Sequence, residues 1–378
     1  MEQTHRALSR QTALTVCGWA FAFVLICLLP PASVHAQERR DPQAFGFLGQ
    51  PFSPAVTHWY RGHFSSFRQK FMKADGRIVD PENGNITHSE SQAYGLLLSL
   101  FADEPVTFEQ IWNFTKNHML RADNLFAWRY TPGHGITDNN NATDADLIIS
   151  STLALAGRRW NRGDYLEQAI RTSEAIGKKL IRHHRGQLLL MPAEKGFGTR
   201  SQADGPVLNL SYYVFSALHI SEALTPQYDW DSVSRSGFDL INRSLRNGTL
   251  TDWTSAEDPR HPKTARDVGP REFGYNAIRV GLNLLLLDGP ERDQALELFY
   301  RNNSPYLTRR SPNGHSLGAL KDPGYQALAE TIRCDLTGQP VDMNLFNYTP
   351  TTYYASAIHL MMFAVLYRRH PECLPGMS

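Results

Sequence analysis

The sequence predicts an all-α fold, and three observations carry that reading. Apolar residues recur at helical spacing in segment after segment. Capping and breaking residues punctuate several of these segments. No Val/Ile/Thr-rich run with period-two alternation competes, apart from short pieces such as 187–191. Helices are predicted at 57–72, 90–102, 108–119, 145–159, 165–182, 211–224, 230–245, 275–287, 292–300, 325–333 and 352–367.

Local signals support individual elements. Ala93, Leu96, Leu97 and Leu100 fall at i, i+3, i+4 and i+7, so one face of the second helix enters a core. Thr87, followed three residues later by Glu90, has the capping-box pattern at its start. Thr143 or Asp144 is the expected N-cap of 145–159, and Asp164 and Asp229 hold the corresponding places for 165–182 and 230–245. Gly289-Pro290 stops the apolar run before it. His183-His184 falls at the end of a predicted helix, where a C-terminus favours a cation. No linker rich in Pro, Gly or Ser divides the helices, so one domain over 56–378 is expected after an irregular lead-in at 37–55. Helices of this number that pair as hairpins can close into a toroid of inner and outer helices.

Residues 1–36 read as a cleavable secretory signal peptide. Arg6 and Arg10 precede an apolar run from Ala13 to Leu29, and Val34-His35-Ala36 supplies the small-residue cleavage pattern. The run is shorter than the ~20 residues of a spanning helix, so no stable membrane insertion is expected after cleavage. The location implied is secreted or periplasmic. Without Glu2, Arg6 and Arg10, the 38 basic and 37 acidic residues become 36 of each. Zero net charge argues against nucleic acid or a charged membrane surface as the main partner. Cys17 and Cys27 leave with the signal, and Cys334 and Cys373 are free to pair in an oxidising compartment.

Two stretches carry more polar chemistry than a helix start requires. Glu90 in Thr87-His88-Ser89-Glu90-Ser91-Gln92-Ala93-Tyr94-Gly95 is either part of the cap or a carboxylic acid at the mouth of a cleft. Asp138-Asn139-Asn140-Asn141-Ala142-Thr143-Asp144-Ala145-Asp146 is dense in oxygen ligands. A calcium loop would need glycine at its sixth position and glutamate at its twelfth, where Thr143 and Ile149 stand, so no metal is expected. Asp and Asn on short stems instead suit a hydroxyl-rich ligand. Trp128-Arg129-Tyr130, Tyr212-Tyr213, Trp253 and Tyr353-Tyr354 place aromatics beside polar residues. Each ring alone is an ordinary core residue, but together they favour sugar rings, whose apolar faces pack on aromatic planes. The sequence has no Gly-x-Ser-x-Gly elbow, phosphate loop or His-Glu-x-x-His, and no cofactor is implied.

Over roughly Trp59 to Leu366 the chain resembles glycoside hydrolase family 8, most closely its cellulase branch associated with bacterial cellulose synthesis. Gly76-Arg77-Ile78-Val79-Asp80-Pro81 with the Glu90 stretch looks like the family's acid motif, and Ala142-Thr143-Asp144-Ala145-Asp146 like its signature. The resemblance implies an (α/α)6 barrel and an endo-β-1,4-glucanase acting on a β-glucan polysaccharide. It casts Glu90 as proton donor and Asp144 as the signature aspartate, and gives substrate contacts to Trp128, Arg129, Tyr212, Tyr275 and Asn276. It also implies trimming of glucan during exopolysaccharide or cellulose export, in association with an export machinery.

One departure matters. The cellulase branch takes its catalytic base from Tyr-Asp-Ala-x-Arg, and here the residues are Tyr275-Asn276-Ala277-Ile278-Arg279. An inverting glycosidase needs a carboxylate about 6.5–9.5 Å from its acid to activate water, and an amide cannot take that proton. Three readings stay open: a relocated base, with Asp267 and Glu272 nearest in sequence; a larger share for Asp144; or loss of hydrolysis, leaving a glycan-binding protein. Mixed-linkage glucan, xylan and chitosan remain alternative substrates.

Overall fold

The computed structural model describes residues 46–374. The predicted signal peptide, its two cysteines and the start of the lead-in lie outside the described residues. After a single turn at Gly46–Gly49, eleven helices follow: α1 (Pro54–Phe71), α2 (Ser89–Phe101), α3 (Pro105–Phe114), α4 (Thr143–Arg159), α5 (Gly163–Leu180), α6 (Phe215–Leu224), α7 (Trp230–Arg246), α8 (Arg279–Leu285), α9 (Pro290–Asn303), α10 (Pro323–Thr337) and α11 (Tyr353–Arg369). All eleven predicted helices are present among the described residues, with ends that differ.

Burial sorts them into two layers. A helix apolar on every side cannot face water. In α2 every residue but Glu90 is buried, α4 is buried from Thr143 to Gly157, and all seven residues of α8 are buried. These helices pack in the cycle α2–α4–α6–α8–α10–α11 and back to α2, a closed inner ring of six. Helices α1, α3, α5, α7 and α9 pack outside it, and a 3₁₀ turn at Met343–Phe346 lies against α10. The result is an (α/α)6 barrel. Proline at the first position starts α1, α3, α9 and α10, where its missing N–H costs nothing.

Short strands edge the barrel through its loops. β1 (Thr87–His88), β2 (Arg129–Thr131) and β3 (Gly135–Asp138) form an antiparallel sheet in which His88 faces Arg129. β4 (Ile181–His184) pairs with β5 (Gln187–Leu190) as a hairpin. β6 (Val207–Leu208), β7 (Thr254–Ser255) and β8 (Lys263–Thr264) make a second three-stranded sheet, and β9 (Thr308–Arg310) pairs with β10 (Ser316–Ala319).

Several predicted helix ends are corrected. The helix expected over 165–182 stops at Leu180, so His183 and His184 lie in β4 rather than at a helix end. The hairpin turns on Arg185 and Gly186, both at positive φ (45° and 82°), as a tight two-residue turn requires. Asp164 is not the N-cap of α5; that place falls to Arg162, whose guanidinium Asp164 holds. Neither Thr143 nor Asp144 caps α4: Ala142 is the N-cap, and the Thr143 hydroxyl donates to the Met191 carbonyl at 2.7 Å. Asp229 does cap α7, accepting the Ser232 N–H at 3.0 Å. Cys334 and Cys373 are joined by a disulfide that ties α10 to the turn after α11.

Candidate active site

The start of α2 is fixed from three sides. The Ser89 N–H donates to the Trp128 carbonyl at 3.0 Å, continuing the β1–β2 pairing. Gln92, fully buried, accepts the Ile78 N–H at 2.7 Å and donates to the Thr115 hydroxyl at 2.8 Å. The Ser91 hydroxyl donates to the Ile78 carbonyl at 2.9 Å. Gly76 sits at φ 93°, and a Cβ there would lie 2.1 Å from the Gln110 carbonyl oxygen. The Gly76–Pro81 stretch and the Glu90 stretch therefore form one interlocked unit at the start of α2.

The expected capping box is not formed. Thr87 lies in β1, and the N-cap is His88, whose Nδ1 accepts the Ser91 N–H at 3.0 Å. With Nδ1 accepting, Nε2 carries the proton and donates to the Asp80 carboxylate at 3.2 Å. Glu90, thus released from capping, points at a guanidinium.

That guanidinium belongs to Arg279, the first residue of α8. Its Nη1 donates to both Glu90 and Asp144, the latter at 2.6 Å, and its Nη2 donates to the Asn276 amide oxygen at 2.6 Å. Only 4% of the Arg279 side chain and 2% of the Asp144 side chain are exposed, against 18% for Glu90. Burial raises the Glu90 pKa; the charge of Arg279 pulls it back, Asp144 and Asp80 add to it, and the net shift is upward. Arg279 also covers the Tyr212 ring at 5.3 Å. Asp144 spends its second oxygen on the Ala145 N–H at 2.9 Å.

The helix predicted over 275–287 begins only at Arg279, because a buried carboxylate captures the preceding turn. Asp252 Oδ1 accepts the N–H groups of Gly274 (2.9 Å), Asn276 (3.2 Å) and Ala277 (2.8 Å). This turn presents Tyr275 and Asn276 to a cavity of about 440 Å³ whose walls also carry Glu90, Arg279, Asp322 and Tyr354.

The remaining predicted residues are distributed around this centre. Trp128 precedes β2, with the Arg129 guanidinium 5.6 Å from its ring. Tyr212 neighbours Trp253 at 6.3 Å, and Trp253 stacks on Phe197 at 5.2 Å, which extends an aromatic surface from the Arg279 centre. Asp267 is exposed and is not among the cavity's lining residues. Glu272 is buried and held by Arg309 through two bonds of 3.1 and 2.9 Å. Sequence reasoning missed the His88–Asp80 pair, Asp322 and the central place of Arg279. The Arg279 signal was present in the Tyr275–Arg279 motif, but its partners lie 135 and 189 residues away.

The sequence matches glycosyl hydrolases family 8 over residues 52–370. The chain belongs to that family. A probable endoglucanase of Novacetimonas hansenii is 30% identical over 332 residues, covering 84% of this chain and 93% of that protein. The solved endo-β-1,4-glucanase CMCax of Acetobacter xylinum is 29% identical with a TM-score of 0.68, over 83% of this chain and 98% of that one. An endoglucanase structure from Komagataeibacter sucrofermentans is 30% identical with the same TM-score of 0.68, over 82% and 98%. The family 8 barrel accounts for the whole inner ring on which Glu90, Asp144 and Arg279 sit.

Proposed function

We propose that this family 8 chain is an inverting endo-β-1,4-glucanase with Glu90 as its proton donor. The observation that carries the reading is Glu90 itself, set on a cavity wall at the start of an inner helix with its pKa raised by burial. A general acid must hold its proton at working pH, and a raised pKa serves that need. The endoglucanases to which the chain is similar support β-1,4-glucan as the substrate.

Asp144 keeps Arg279 oriented and its negative charge near the cleavage point. It is a poor candidate for the base. Two carboxylate oxygens bonded to one nitrogen lie at most about 6 Å apart, below the separation that leaves room for an attacking water. Trp128, Arg129, Tyr212 and Tyr275 contact sugar rings along the cleft, and Asn276 hydrogen-bonds substrate or water. The signal-peptide pattern supports action in the periplasm or outside the cell, and the cellulose-branch resemblance supports trimming of glucan beside an export machinery. Among the described residues no helix is long and apolar enough to cross a membrane.

Release of reducing sugar from carboxymethylcellulose, mixed-linkage glucan, xylan and chitosan tests the reading, with Glu90→Gln as the control. Release from the β-1,4-glucans above that control is expected. If none of the four yields sugar above it, the chain binds glycan without cutting it.

A further inference from the structure

With Asn276 unable to take a proton, the second carboxylate has to come from elsewhere on the cavity wall. We infer that Asp322 is the base that activates water in this chain, an inference that rests on the glycanase reading above.

Four carboxylates line the cavity: Asp80, Glu82, Glu90 and Asp322. Asp80 is held by His88 at 3.2 Å and Asn83 at 2.5 Å. Glu82 accepts the Tyr353 N–H at 3.4 Å, and Glu90 is the acid. Asp322 is half-buried, and among the described residues its carboxylate has no hydrogen bond and no ion pair. Its main chain is fixed all the same, because its carbonyl accepts the N–H groups of Tyr325 at 3.0 Å and Gln326 at 3.2 Å as α10 begins. Tyr325, one turn on, packs its ring 6.0 Å from that of Tyr275, which places the start of α10 beside the turn bearing Asn276.

The other acids near the site are occupied. Asp144 is bound to Arg279, Asp252 to three backbone N–H groups and Glu272 to Arg309. Asp267, the remaining candidate from the sequence, does not line the cavity. A cavity of about 440 Å³ has room for a sugar ring and the attacking water, which needs about 30 Å³.

In the reaction, the water oxygen bonds to the anomeric carbon as Asp322 takes one of its protons. The glycosidic C–O bond breaks with its electron pair moving to the leaving oxygen, which takes the Glu90 proton. Exchange with solvent then returns the gained proton from Asp322 and restores that of Glu90.

The test compares wild type, Asp322→Asn and Asp322→Glu on a soluble β-1,4-glucan, reading kcat, KM, the pH profile and the melting temperature. The Asp322 carboxylate makes no side-chain cap bond to α10, so the isosteric amide leaves the helix start intact and folding is preserved. The expected result for Asp322→Asn is a kcat loss of about 100-fold or more, KM within about threefold, and disappearance of the acid limb of kcat/KM. Asp322→Glu is expected to keep that limb and part of the activity. An active wild type with Asp322→Asn within about fivefold of it overturns the assignment, as does a loss carried by KM alone. Equal loss in both variants with a lowered melting temperature makes Asp322 structural and overturns it too. A wild type no better than Glu90→Gln removes the glycanase reading, and the base assignment with it.

Discussion

As the proposed acid, Glu90 must be protonated to act, so the rise in its pKa has a direction in pH. Activity must fall as pH climbs through that pKa, and the alkaline limb of kcat/KM should lie above the ordinary carboxylate range. Glu90→Gln should lose about 10²–10⁴-fold in kcat and lose that limb as well. Arg279 is the second test at this scale. Arg279→Met strands two neighbouring carboxylates without their cation, and breaking such a buried pair costs about 3–5 kcal/mol, readable as a lower urea midpoint. Residual activity in that variant should shift to higher pH, because Glu90 then faces Asp144 with no positive charge between them. The place of Glu90 on the cavity wall was legible in the sequence through its surrounding motif, whereas the capping rule misplaced it. A histidine Nδ1 accepts a helix N–H as well as a hydroxyl does, and His88 took the place that the Thr-x-x-Glu pattern assigned to Thr87. Asp322 had no such signal, since nothing in its neighbours says that α10 starts beside Asn276.

At the scale of elements, helix existence was legible and helix ends were not. The inner helices are so apolar that periodicity and burial agree along their length, but their ends are set by partners far away in sequence. Asp252 shows how: it collects the amides of the Gly274–Ala277 turn and delays α8 until Arg279. Asp252→Ala would leave three backbone donors without that acceptor, at about 1–3 kcal/mol for each one buried. Faster amide exchange at Asn276 and Ala277, together with a lower kcat, is the expected outcome. Asp146 gives a stability test. Burial lifts its pKa to about 8, against the pull of its bonds from Asn141 at 2.7 Å and the Phe126 N–H at 2.9 Å. A raised folded pKa means that the fold favours the protonated form, so this stability is full below the unfolded aspartate value and is lost as pH rises towards about 8. The melting temperature should fall between pH 5 and pH 8, and Asp146→Asn should flatten that fall.

The whole molecule is a closed ring, and closure is what a sequence read segment by segment cannot supply; it came with the family resemblance. The Cys334–Cys373 bridge belongs to this scale, spanning 39 residues from α10 past α11 at the seam where the ring closes. A loop of that length is worth about 4 kcal/mol in chain entropy, so Cys373→Ser should lower the melting temperature by several degrees without altering the cleft. The bridge also fits the oxidising compartment implied by the signal-peptide pattern. Everything in the functional reading converges on one reaction: water attacks the anomeric carbon from the face opposite the leaving group while Glu90 protonates the departing oxygen. Following the anomeric proton signals during hydrolysis of a soluble β-1,4-glucan tests this most directly. The α-anomer should appear first and then mutarotate, with Glu90→Gln forming product about 10²–10⁴-fold more slowly; first appearance of the β-anomer, or no product from the wild type, would contradict it.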